Sequence, residues 1–192
     1  ATTNTAMSLG DSDTALTLTG HLTLNTSGGD LTLGGSVNGT TANTESLTLN
    51  AGSTGAVSVT GAMGQTTALK TLTLTHSHGA TFSSAVTTGT SVVLSNTTGT
   101  ITFADNLSTP VLTTTANGYD VALLGTTTHV TDANTATSFL NTGNLVLGNG
   151  VGDSLTFAGG LTATAPAAIQ AAGTIATTNT AMSLGDSDTA LT

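Results

Sequence analysis

Residues 71–86 read TLTLTHSHGATFSSAV, a short alternating strand, a polar turn ending in Gly79 and a second alternating strand. The same phrase occurs before it as SLTLNAGSTGAVSV at 46–59 and after it as SVVLSNTTGTITFADNL at 91–107, with Gly55 and Gly99 closing the turns. Leu47, Leu72 and Val92 hold the same place in the three phrases. Looser versions recur as TALTLTGHLTL, GDLTLGGSV, NLVLGNG and DSLTFAGGL. One coil of a β-helix, built from two or three short strands and their turns, takes roughly 20–25 residues, so the spacing of these phrases predicts a β-solenoid.

Alternation of period two assigns the two faces of each strand. Leu16, Leu18, Leu22, Leu24, Leu31, Leu33, Leu47, Leu49, Val57, Val59, Leu72, Leu74, Phe82, Ile101, Phe103, Leu145, Leu147, Leu155 and Phe157 are expected to point inward, with Thr and Ser between them pointing out. Helices are disfavoured, because β-branched residues and glycine are everywhere and no sustained i, i+3, i+4, i+7 apolar pattern occurs.

A longer repeat encloses this one. Residues 1–17 read ATTNTAMSLGDSDTALT, and residues 176–192 read the same, identical at every position. The expected organisation is therefore one repeat unit over 1–175, of about eight coils, and the start of the next identical unit over 176–192. Both termini are expected to lie inside a tandem array that continues after Thr192 with Leu-Thr-Gly-His, as it does after Thr17. The first residues show neither a basic n-region nor an apolar h-region, so any export signal is expected far upstream.

Composition narrows the function classes. The chain has 192 residues, one Lys or Arg, ten Asp or Glu, no Cys and a net charge of −9. Only 6% of residues are charged, against about a quarter in ordinary domains. Thr fills about a quarter of the positions; it is polar, β-branched and suited to the outer face of a strand. With Lys70 as the sole basic side chain, phosphate neutralisation on nucleic acid and docking on anionic lipid are excluded. No apolar run approaches a membrane span. The absence of Cys fits a fold stabilised by repetition and not by disulfides.

The rival fold is a pair of immunoglobulin-like β-sandwich domains, which together would fill the repeat unit. Against it, the two halves of the unit do not resemble each other, and its core would have to be built almost without aromatics. The Leu-Thr-Leu and Val-x-Val phrases, the Thr/Gly/Asn turns and the long repeat resemble the giant repetitive surface proteins of bacteria, of the filamentous-haemagglutinin type. The resemblance spans the whole chain but rests on texture, and no functional motif carries over. It implies a right-handed parallel β-helix, exported and displayed outside the cell.

Candidate sites are sparse. His76 and His78 are i and i+2 neighbours on one strand face, and a Zn²⁺ there would need a third ligand from an adjacent coil. The aligned turns offer Asn50 to Ser53 and Asn96 to Thr98, none of them a good zinc ligand; a solvated turn is the expected reading. Gly148 to Leu155 partly matches the nonapeptide of calcium-binding rolls, with Asp153 at the acidic position, but only one copy occurs where two must stack. Asp11 and Asp13, with their copies Asp186 and Asp188, pair carboxylates in a turn where Ca²⁺ could bind, though a plain turn is favoured. Four N-x-[ST] sequons, at Asn25, Asn38, Asn96 and Asn106, are expected by accident in so Thr-rich a chain.

The acidic residues are spread about one per turn and no Arg is present, so a polysaccharide-cleaving site of the kind found on other β-helices is not expected. No cofactor is expected either. Thr71-Leu72-Thr73-Leu74-Thr75 has the local form of an ice-binding Thr ladder, but the aligned coil at 91–96 reads Ser-Val-Val-Leu-Ser-Asn. The expected role is a non-enzymatic, extracellular structural repeat that partners itself by stacking head to tail. The alternatives are the stalk of an adhesin whose binding domains lie elsewhere and an ice-binding solenoid with a Thr ladder.

Overall fold

The computed structural model describes residues 1–95 and 97–192; the sequon at Asn96 lies outside the described residues. Twenty-three short strands and no helix make up the described chain. Every strand pair among the described residues is parallel. A β-sandwich is built from antiparallel sheets, so that alternative is overturned. The molecule is a β-solenoid of about eight coils, and each complete coil has three walls.

The first wall is a single sheet of nine strands: Met7–Leu9, Leu31–Leu33, Val57–Val59, Ala80–Phe82, Thr100–Phe103, Asp120–Leu123, Asn144–Leu147, Ala168–Ala171 and Ala190–Leu191. The second wall runs from Leu16–Leu18 through Val37–Gly39, a lone bridge at Met63, the start of Val86–Leu94, Leu107–Thr109, Thr127–Val130 and Ser154–Phe157 to Thr174–Thr177. The third carries Leu22–Asn25, Leu47–Asn50, Leu69–His76, the end of Val86–Leu94, Val111–Thr113, Thr137–Ser138, Leu161–Ala163 and Met182–Leu184. The columns expected from sequence are in register, with Leu47 opposite Leu72 and Leu72 opposite Val92.

Coil length varies. The stretch from Leu31 to its partner Val57 is longer than the stretch from Ile101 to its partner Val121. The corners absorb most of the difference, and irregularities in the ladders between Leu49 and Asn50 and between Thr88 and Ser91 take up the rest. Coil three does so by reducing its second wall to Met63, which bridges Val37 below and Val86 above.

Inside, the Leu and Val columns meet from three sides. All the residues expected to point inward are in the core or packed against it. Each fully buried Leu or Val contributes about 1.5–3 kcal/mol relative to exposure. The bore also takes aromatics: Phe82 and Phe103 stack with centroids 4.8 Å apart, and Phe139 meets Phe157 edge-on at 6.1 Å.

At the corners the backbones of successive coils touch. A Cβ on Gly55 would collide with the Gly29 carbonyl oxygen, so glycine there sets the coil spacing. Not every Thr faces out. Thr26, Thr88, Thr97, Thr109, Thr114, Thr128 and Thr137 are buried. Some are satisfied by the next coil: the Thr88 hydroxyl donates to Thr109 Oγ1 at 2.8 Å, and Thr114 donates to the Ser138 carbonyl at 3.1 Å. Thr88, Thr109 and Thr128 occupy inward places on the second wall, two residues from buried Val86, Leu107 and Val130, so the alternation that buries the apolar residues buries these Thr with them.

Candidate functional site

The polar side chains of this chain are used to hold coil on coil. Asp30 Oδ1 accepts from the Ala56 N–H at 2.9 Å. Asp120 Oδ1 accepts from the Asn144 N–H at 2.6 Å, and its Oδ2 from the Thr100 hydroxyl at 3.2 Å. His21 Nδ1 accepts from the Ser46 N–H at 3.1 Å, and Asn106 Oδ1 from the Thr127 N–H at 2.8 Å. Each partner lies in an adjacent coil. In each case a polar residue at the start of a strand, or just before it, reaches the backbone of a neighbouring turn, so these groups are committed to the wall.

Aspartates in the corners are occupied in a second way. Asp11 Oδ1 accepts from the Thr14 hydroxyl at 2.7 Å and the Asp13 N–H at 3.2 Å. The Thr14 hydroxyl, then the Asp13 N–H, hold its carboxyl below the usual aspartate range. Asp186 repeats this arrangement with the Asp188 N–H and the Thr189 hydroxyl, which lower its pKa in that order. Asp13 is exposed and takes only a long 3.4 Å bond from Ser12. Asp132 builds the same corner, unforeseen from the sequence, with Thr135 donating at 2.7 Å and the Asn134 N–H at 2.9 Å; the Thr135 hydroxyl is the main cause of its lowered pKa. The signal was a shared D-x-[DN]-T, present at Asp11, Asp132 and Asp186.

Asp153 is buried within its own loop, its Oδ2 accepting from the N–H groups of Asn149 and Gly150 at 2.8 and 2.9 Å. Gly148 to Gly152 thus wrap their own aspartate. Glu45, also buried, accepts from the Thr40 hydroxyl at 2.7 Å, and that donor holds its carboxyl below the usual range. Ser77 turns inward between His76 and His78. His76 lies opposite Asn50, while His78 Nδ1 is 3.1 Å from Thr98 Oγ1. No group of three His, Cys, Asp or Glu side chains close enough to hold a metal occurs among the described residues.

No family model, curated protein or solved structure matches the chain. Among the shallow grooves on its surface, two lie on the walls in the middle of the chain. One, of about 320 Å³, is bordered by Thr100, Asp120, Ala122, Asn144, Val146 and Gln170 on the first wall. The other, of about 310 Å³, crosses the second wall beside the reduced third coil and is bordered by Gln65, Thr87, Asn106, Ser108, Thr127 and His129. In the first groove Asp120 is the sole carboxylate and both its oxygens are already bonded. In the second, His129 is the sole titratable group.

The outward column of the first wall reads Ser8, Thr32, Ser58, Thr81, Thr102, Ala122, Val146 and Gln170. On the third wall Thr23, Thr48 and Thr73 align, and Val93 follows. The large exposed apolar residues are Leu140, Val151, Met182 and Leu191. Two of these, Met182 and Leu191, lie on the last coil. Their sequence copies Met7 and Leu16 pack against the core.

Proposed function

We propose that the chain is a non-enzymatic structural repeat of an exported bacterial fibre, sheath or coat, in which units continue end to end as one solenoid. The observation that carries this reading is the fate of identical residues. Met7 and Leu16 lie beneath a further coil, with Leu31–Leu33 on one and Val37–Gly39 on the other, and they pack against the core. Met182 and Leu191 have no coil above them and are 39% and 60% exposed. The repeat thus carries apolar side chains whose burial requires another coil. Open strand edges offer matching N–H and C=O rows to that coil. The engagement of the carboxylates with their own backbone favours a passive wall over an acid/base site, and the mixed outward columns disfavour an ice-ordering Thr ladder.

The experiment is electron microscopy and sedimentation of the purified chain across a range of concentration. Head-to-tail columns with strands perpendicular to the long axis are expected, and Leu191→Lys should abolish them. A wild-type chain that stays monomeric at high concentration overturns the reading.

A further inference from the structure

The two copies of the repeated segment, 1–17 and 176–192, fold alike but stand on different walls. In both, an Asn has a left-handed backbone, φ 49° at Asn4 and 54° at Asn179, and the following Gly10 and Gly185 have φ 68° and 75°. Both form a Met-Ser-Leu strand followed by the Asp-Ser-Asp-Thr corner. Yet Met7–Leu9 pairs with Leu31–Leu33 on the first wall, whereas Met182–Leu184 pairs with Leu161–Ala163 on the third. The next strand shifts equally. Leu16 is on the second wall opposite Val37, and its copy Leu191 is on the first opposite Ile169.

From the first wall of coil one to the third wall of coil eight, the chain passes seven full coils and two further walls. We infer that the repeat unit advances the solenoid by seven and two-thirds coils, so each following copy of this chain seats on its predecessor rotated by one-third of a turn. This inference rests on the tandem continuation proposed above. Three units, spanning 23 coils and ~110 Å at about 4.8 Å per coil, restore the starting orientation.

Two features make such a junction workable. First, the walls are chemically interchangeable: Leu-Thr-Leu builds the second wall at Leu16–Leu18, the third at Leu22–Asn25 and the first at Leu31–Leu33. A second-wall strand of one unit can therefore continue the first-wall sheet of the unit below, as Ala190–Leu191 already does on Ala168–Ala171. Second, the corner is indifferent to its walls. Asp11 to Thr14 turns the chain from first to second wall, and Asp186 to Thr189 turns it from third to first with the same hydrogen bonds. Any outward feature, such as the tip at Val151, which is 99% exposed, then appears on three sides of the fibre in turn, once per ~37 Å. The partner at each junction is a second copy of this chain, and its docking surface is the spiral ledge formed by Thr174–Thr177, Met182–Leu184 and Ala190–Leu191.

The phase is tested on the dilute chain itself, where no assembly is needed. Double-cysteine variants at 8/32, 32/58, 58/81, 81/102, 102/122, 122/146 and 146/170 follow the first-wall column, and 162/183 follows the third. Neighbouring parallel strands lie ~4.8 Å apart, within disulfide reach. All eight pairs should cross-link under mild oxidation, tying Ser8 to the column of Gln170 and its copy Ser183 to that of Thr162. A column from Ser8 that leads to Thr162 overturns the inference, whether or not fibres form. Where a variant misfolds, cryo-electron microscopy of a covalent three-unit chain gives the same answer: a twist of about 120° per ~37 Å supports the one-third turn, and units related by pure translation refute it. Loss of fibres with an intact cross-link ladder would sink the filament reading alone.

Discussion

The Tyr119 hydroxyl donates to the Leu94 carbonyl at 3.1 Å in the coil below and accepts from the Thr115 N–H at 2.8 Å. This phenol is fully buried, and its oxygen stitches a corner to the wall beneath. Replacing it by Phe keeps the ring, strands the Thr115 N–H and leaves the Leu94 carbonyl with only the 3.4 Å bond from the Thr115 hydroxyl. Tyr119→Phe should destabilise the chain by about 1–3 kcal/mol, read as a lower urea midpoint with an unchanged slope.

Glycine is required at Gly55 and optional at Gly152. Gly55→Ala would push a methyl into the Gly29 carbonyl, while a Cβ at Gly152 meets nothing within 4 Å. A clear loss in Tm is expected for Gly55→Ala and none for Gly152→Ala. Equal melting temperatures for the two variants would disprove backbone contact as the origin of coil spacing.

Acid should weaken the fold through its corners. The carboxyls of Asp11, Glu45, Asp132 and Asp186 are held below their usual range by hydroxyl and N–H donors. A depressed native pKa contributes stability above the unfolded pKa and loses it as pH falls through the native one. The urea midpoint should stay flat from about pH 7 to about pH 5 and drop below about pH 4. Relief of the net −9 charge opposes this only weakly, since the Debye length is about 8 Å at physiological salt. Asp132→Asn should make the acid limb shallower; a steeper limb would contradict the assignment.

Divalent metal should not matter for stability. The Asp153 carboxylate is turned onto its own loop, and Asp11 onto Thr14 and Asp13. EDTA or millimolar Ca²⁺ is expected to move Tm by less than ~5 °C, the shift that about a kcal/mol or more would produce in a chain of this size. A larger change would reveal a cation site at one of these turns.

The walls were legible in the sequence because Leu47, Leu72 and Val92 declare their spacing through alternation, and alternation is imposed by burial. The corner chemistry was not. Asp120 and His21 look like scattered polar residues until adjacent coils bring Asn144 and Ser46 within reach. Glu45 and Asn141 are buried at bends, where period-two reasoning has no hold. The metal-candidate pair His76 and His78 was visible as a motif, but the partners around it depend on which turn stacks above, and Asn50 and Thr98 are what the register supplies. The displacement of the repeat by one wall was hidden for another reason: the unit divides into coils only once each corner's length is known.

Unequal coils have a practical corollary. Leu31 meets Val57 across a long coil and Ile101 meets Val121 across a short one, with both pairs in register, so wall and corner obey separate rules of inheritance. Residues can be inserted at a bend without disturbing the ladders on either side. The projecting tip at Val151, 99% exposed, is therefore a natural grafting point, where a foreign peptide would stand clear of the walls.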